Sequence, residues 1–119
     1  MELNEYQEKA MSTCMQSCNN FAYMSYGLAG EVGEFMGKIA KHIRKENISI
    51  DNNQLIDNDE KLSRVDIELI ISELGDIQWF VAGLAQSLGY SLEEVCKYNL
   101  EKLQSRKQRN KIDGDGDNR

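Results

Sequence analysis

The chain has no proline, one histidine and three cysteines in 119 residues, and it has no long apolar run. Each absence excludes something. Without proline nothing forces a break in a helix, and Ala, Leu, Glu, Lys and Gln supply good helix formers throughout. Period-two alternation is missing apart from the short Ile48-Ser49-Ile50 stretch, so an all-α chain is expected. No segment approaches the roughly 20 apolar residues of a membrane span. Residues 1–20 lack the continuous apolar core of a secretion signal. The expectation is a soluble, cytoplasmic protein with no membrane partner. A dense basic face is also lacking: the net charge of −6 argues against a nucleic-acid duplex as partner. The bases cluster locally instead, from Lys38 to Lys45 and from Lys102 to Lys111, which suits a small anionic ligand.

The cysteines, Cys14, Cys18 and Cys96, are odd in number and have no framework spacing. They read as reduced thiols serving as small core hydrophobes. A zinc site completed by His42 has the right count, but its ligands lack the paired spacing of such sites.

Four helices are expected. The first opens after Asn4, where Asn4 and Gln7 have capping-box spacing, and runs to about Cys18. The second covers roughly Tyr23 to Glu46. Residues 47–63 are rich in Asn, Asp and Ser and read as a long polar connection, with a short local element around Leu55-Ile56. The third helix spans about Arg64 to Leu88 and stops at Gly89, a residue suited to a left-handed cap. Ser91 and Glu94 then open a fourth helix that ends near Arg109. The folded domain is thus residues 1–109. Residues 110–119 form a polar tail that has no reason to fold by itself.

The chemistry lies in two acidic pairs, Glu31-x-x-Glu34 on helix two and Glu73-x-x-Asp76 on helix three. A spacing of three places both members of a pair on one face. Such pairs are ordinarily solvated, and the decisive point is which face they occupy. At about 100° per residue, Leu69, Ile70, Ile77, Phe80 and Leu84 all fall within about 60° of Glu73, with Asp76 at the margin of this apolar stripe. Helix two repeats the pattern, with Met24, Leu28, Phe35 and Ile39 on the side of Glu31, Glu34 at the margin and Lys38 beside both. Inward-facing carboxylates must be protonated, paired with bases or held by a cation. An all-carboxylate set without histidine favours a hard ion, Mg²⁺ or Mn²⁺. A ferritin-like di-iron site is excluded, because it needs two Glu-x-x-His motifs and Ile39 stands three residues before the only histidine, His42.

Asn99, Lys102 and Arg106 share a face of helix four and suit phosphate oxygens, if they do more than bury their stems beside Leu92, Val95 and Leu103. Gly30, Gly33 and Gly37 line one stripe of helix two, which points to close approach of another helix or a ligand. Trp79 falls on the polar side of helix three, as a subunit contact or a base-stacking surface. Asp113, Asp115 and Asp117 alternate as in an EF-hand, but the sequence ends before a twelve-residue loop could be completed.

The run Gly27-Leu28-Ala29-Gly30-Glu31-Val32-Gly33-Glu34 with Lys38 resembles the MazG-like nucleotide pyrophosphohydrolases of the all-α NTP pyrophosphatase superfamily. So do Glu73-Leu74-Gly75-Asp76-Ile77 with Trp79, and Asn99-Leu100-Glu101-Lys102-Leu103 with Arg106. The opening Asn4-Glu5-Tyr6-Gln7 and the ending Gly114-Asp115-Gly116-Asp117-Asn118-Arg119 fit as well. The resemblance implies a four-helix-bundle-like protomer of the MazG type, assembling into a homodimer or homotetramer. It implies that Glu31, Glu34, Glu73 and Asp76 hold Mg²⁺, and that water attacks the α-phosphorus of an NTP or dNTP to give a monophosphate and pyrophosphate. In that scheme Glu34 serves as general base and Lys38 as a catalytic cation, while Lys38, Asn99, Lys102 and Arg106 bind substrate. The 38 residues between Glu34 and Glu73 exceed the family's usual spacer, which an inserted loop at 47–63 accommodates. The competing reading is a non-catalytic helical module that binds nucleotides or another protein.

Overall fold

The computed structural model describes residues 1–119. It has four helices, α1 (Leu3–Met11), α2 (Phe21–Arg44), α3 (Arg64–Ser87) and α4 (Leu92–Gln108), and one antiparallel hairpin, β1 (Ile48–Asp51) with β2 (Gln54–Asp57). Single 3₁₀ turns at Gln16–Cys18 and Asn58–Glu60 complete the chain. The expectation of a purely helical protein therefore holds except in the 47–63 connection. There the hairpin forms because Asn52 and Asn53 both take positive φ, 51° and 63°, the left-handed pair that a two-residue turn needs and that Asn tolerates. Ile48 anchors it at 1% exposure.

α2 and α3 are the longest elements and form the main contact. Asn20 caps α2 by accepting from the Tyr23 N–H at 2.8 Å, and Ser63 with Asp66 forms a capping box on α3. The two helices run antiparallel. Tyr23 meets Phe80 near the start of α2, Lys38 meets Glu73 further along, and His42 faces Asp66 near its end. A close approach is built in at Gly27, where any side chain would run into the Phe80 ring.

α1 is shorter than expected, because the Ser12 and Thr13 hydroxyls turn back onto the carbonyls of Lys9 and Ala10 and compete with the helix ladder. Its expected cap is also different. The Glu2 N–H donates to the Glu5 carboxylate at 3.4 Å, which releases Asn4 and Gln7 for long-range work. The Asn4 side chain accepts from the Glu93 N–H at 3.1 Å, and Gln7 accepts from the Leu92 N–H at 3.0 Å. Both therefore satisfy free N–H groups at the start of α4. The Gln7 amide also donates to the carbonyls of Ala82 and Tyr90, at 3.2 Å each. Around this tie lies a small core of Ala82, Ala85 and Leu92, packed by Tyr6, Met11 and Val81. Gly89, at φ +82°, ends α3 as expected.

Gln7 is buried, so Gln7→Leu strands an N–H and two carbonyls. At ~1–3 kcal/mol for each unsatisfied group, partly relieved by water, the loss should be about 2–4 kcal/mol. Urea unfolding checks it, and a change below ~0.5 kcal/mol would contradict the role given to Gln7.

Candidate active site

Glu31 and Glu34 lie on the middle of α2, and Glu73 and Asp76 face them from α3. The 47–63 connection sits beyond the end of this helix pair, so the long spacer does not separate the two acidic motifs. Glu73 is the buried member, at 6% exposure. Its Oε1 accepts from Lys38 Nζ at 2.9 Å. That bond and the lysine charge hold the Glu73 carboxyl below the usual range, and the same bond raises Lys38.

Glu31 behaves in the opposite way. Burial first, then the charges of Glu34 and Asp76, push its carboxyl above the usual range. The Oε2 atoms of both Glu31 and Glu73 are sealed from solvent with no base or N–H paired to them, and a proton on Glu31 would be shared with Glu73. One oxygen each from Glu31, Glu73 and Asp76 lies within 4.8 Å of the others. Three convergent carboxylates, two with orphaned buried oxygens, and one lysine to balance them leave the site short of positive charge. A hard divalent cation fits that donor set. Glu34 is exposed and lies outside the three-carboxylate group, although it contributes to the repulsion on Glu31.

The residues expected from α4 are placed elsewhere in the single chain. α4 packs against α1 and α3. Asn99 and Lys102 are exposed, and Arg106 is buried beneath residues 110–119, where its Nη2 donates to the Asp117 carbonyl at 3.2 Å. None of the three bonds to the acidic cluster. Trp79 is not a free aromatic surface: its Nε1–H donates to the Ala10 carbonyl and Thr13 Oγ1 at 3.0 Å each, and its ring stands edge-on to Phe80. A methyl group at Gly30, Gly33 or Gly37 would meet nothing, so packing within the chain does not account for that stripe.

His42 is buried against Asn47 and has no cysteine partner, and the three free cysteines are only half-buried. They form neither a zinc site nor the expected core. Tyr6 is the neighbour that sequence reasoning missed. Burial, and then the charge of Asp76, raise its hydroxyl pKa, so it stands beside the acidic cluster. Nothing local in α1 announces that proximity, which arises from packing across the chain.

The opposed shifts of Glu31 and Glu73 give a signed prediction. A raised carboxyl favours the folded state below the usual range, and this contribution is lost as pH rises through the raised value. Glu73, with its lowered value, contributes above the usual range and loses this as pH falls through the lowered value. A divalent cation held by these carboxylates would compete with protons for them, so the increase in thermal midpoint on adding Mg²⁺ should be larger at about pH 7.5 than at about pH 5. Equal increases at both pH values would mean that the ion does not bind these carboxylates.

The match to the MazG nucleotide pyrophosphohydrolase domain spans residues 20–110. It therefore contains both acidic motifs and α4. The Gene 37 protein of Mycobacterium phage L5 is 36% identical over 126 aligned positions, which cover the whole of both chains. No solved structure matches the chain.

Proposed function

The chain belongs to the MazG nucleotide pyrophosphohydrolase domain family, and from that premise we propose that it hydrolyses a nucleoside triphosphate, NTP or dNTP, to the monophosphate and pyrophosphate. The family points to nucleotide pyrophosphohydrolysis in general. Attack by water at the α-phosphorus and dependence on Mg²⁺, with Mn²⁺ as substitute, are the finer parts of the proposal. The observation that supports the metal is the pair of buried oxygens without a hydrogen-bond partner on Glu31 and Glu73 within a cluster of three carboxylates; the point of attack rests on the family alone.

Glu31, Glu73 and Asp76 would hold the ion, with Glu34 joining from the rim. Bound there, a divalent cation supplies charge neutralisation for phosphate oxygens and lowers the pKa of a coordinated water. Phosphoryl transfer needs positioning and electrostatic stabilisation more than covalent help, and the side chains are suited to that. Lys38, a third exposed, fixes Glu73 in its ionised form and retains donors for a phosphate oxygen. Glu34 is exposed at the edge of the cluster, and in this proposal it accepts the proton of the attacking water. Asn99, Lys102 and Arg106 remain the proposed substrate donors, contributed by α4 once the protein is assembled.

Assembly is part of the proposal because the isolated protomer is too open. Its accessible surface is 8837 Å², whereas a compact monomer of its mass exposes about 6,600 Å². The excess, roughly 2,200 Å², is well above the ~800 Å² per partner of a standard interface. Its radius of gyration is 17.7 Å, against about 13.5 Å for a compact chain of this length. The outer faces of α2 and α3 leave Val32, Met36 and Ile43, and Ile67, Ile71 and Leu74, exposed. A second copy of the chain is the natural cover for them, in a homodimer or homotetramer, and the open glycine stripe on α2 gives a neighbouring helix room to approach. No helix is long and apolar enough to cross a membrane. A cytoplasmic location is proposed because the nucleotide substrates reside there.

Hydrolysis in ¹⁸O-enriched water tests the reading. The label should enter the nucleoside monophosphate and be absent from pyrophosphate. Label in pyrophosphate would place attack at the β-phosphorus and overturn the scheme. If nucleotide binds but nothing is released with Mg²⁺ present, the non-catalytic module is the better account.

A further inference from the structure

Away from the acidic cluster, the least balanced charges in the molecule lie at the end of α4. Arg106 is 5% exposed, yet no carboxylate pairs with it. Its Nη2 donates to the backbone carbonyl of Asp117 at 3.2 Å, and its Nε–H is sealed from solvent with no acceptor. Arg119 is only partly buried but shows a related pattern. Its Nη1 donates to the Gly116 carbonyl at 2.7 Å, and its Nε–H is likewise sealed and unpaired. Arg109 ties the segment to the helix, donating from Nη2 to the backbone oxygen of Arg119 at 2.8 Å and from Nε to the Ser105 hydroxyl at 3.0 Å.

Residues 110–119 are shaped for this return. Gly116 has φ +79°, and a side chain at Gly114 would crowd Arg119 and the Lys111 carbonyl. The aspartates of the segment could neutralise the guanidinium groups, but Asp113, Asp115 and Asp117 form no ion pair. Arg106 and Arg119 receive only the backbone carbonyl oxygens of Asp117 and Gly116. Enclosed cations with idle N–H donors are costly unless an anion completes them. The planar fork of guanidinium matches an oxyanion of the phosphate type better than any neutral acceptor.

We propose that residues 110–119 form a strap over an oxyanion site, in which Arg106 and Arg119 bind a phosphate-type group through their idle N–H edges, in place of the carbonyls of Asp117 and Gly116. The choice of a phosphate-type ligand rests on the proposed function and adds Arg119 and the strap to it. The site itself needs no metal and no turnover.

The test is calorimetric titration of the full chain with pyrophosphate in EDTA, with sulfate as competitor. The wild type should bind pyrophosphate, sulfate should weaken that binding, and Arg119→Ala should weaken it at least tenfold. Arg106→Lys, which keeps the charge and loses the fork, should also bind more weakly while circular dichroism stays unchanged. Lys9→Ala, which removes an exposed lysine far from α4's end, should bind as the wild type does, which separates a built site from general attraction to positive charge. No binding to the wild type, or equal affinities for the wild type, Arg119→Ala and Arg106→Lys, would overturn the proposal. Loss of hydrolysis alone would leave it standing.

Discussion

Glu73→Gln should lower kcat by roughly 10²- to 10⁴-fold, the range expected when one preorganised charged group is removed from a reacting centre. Glu73 is the natural target because it performs two tasks at once. One of its oxygens holds Lys38 at 2.9 Å, and the other is buried without a donor among the carboxylates of Glu31 and Asp76. Glutamine retains the shape and removes the charge, so the helix pair should persist with unchanged circular dichroism. Lys38 is a third exposed and can hydrate once its partner is neutral. The variant should also lose most of the thermal stabilisation that Mg²⁺ gives the wild type. Activity within twofold of the wild type would remove Glu73 from the reacting centre.

The second large effect is expected on the outer faces of α2 and α3. Met36 and Ile71 are both more than half exposed in the single chain. A carboxylate at either position costs little in a monomer but is costly at a closed apolar interface. Met36→Asp together with Ile71→Asp should therefore shift the protein from an oligomer to a monomer in sedimentation velocity at micromolar concentration. Turnover should fall with it if α4 of one copy serves the acidic cluster of another. An unchanged sedimentation coefficient in an oligomeric wild type would place the interface elsewhere. A monomeric wild type would contradict assembly altogether.

The parts of this molecule that were legible in its sequence are those governed by local periodicity. The facing of Glu31 and Glu73 toward the α2–α3 contact follows from helical geometry and the apolar residues around them, and burial of Glu73 and Phe80 agrees. Leu69 was assigned to the same stripe and is exposed, because the stripe is wider than the contact one neighbouring helix can make. Ser91 and Glu94 opened α4 as their spacing suggested. Asn4 and Gln7 have similar spacing and do something else, because a side chain that can cap its own helix can equally cap another brought against it. Trp79 looked exposed for a related reason: its covering residues, Ala10 and Thr13, are far away in sequence. The hairpin was signalled only by Ile48-Ser49-Ile50 and two asparagines, too little to outweigh a polar composition. Tyr6 beside Asp76, and the return of residues 110–119 over Arg106, depend on tertiary contacts that no window along the chain contains.

The central claim is that the carboxylates on α2 and α3 constitute a metal-dependent centre for nucleotide pyrophosphohydrolysis. Its most direct test is pyrophosphate release from a panel of NTPs and dNTPs, measured with Mg²⁺ and again with EDTA. Release of pyrophosphate with the matching monophosphate from at least one nucleotide, abolished by EDTA and restored by added Mg²⁺, is the predicted result. Folded protein that releases no pyrophosphate from any nucleotide in the presence of Mg²⁺, or that releases it equally in EDTA, would contradict it.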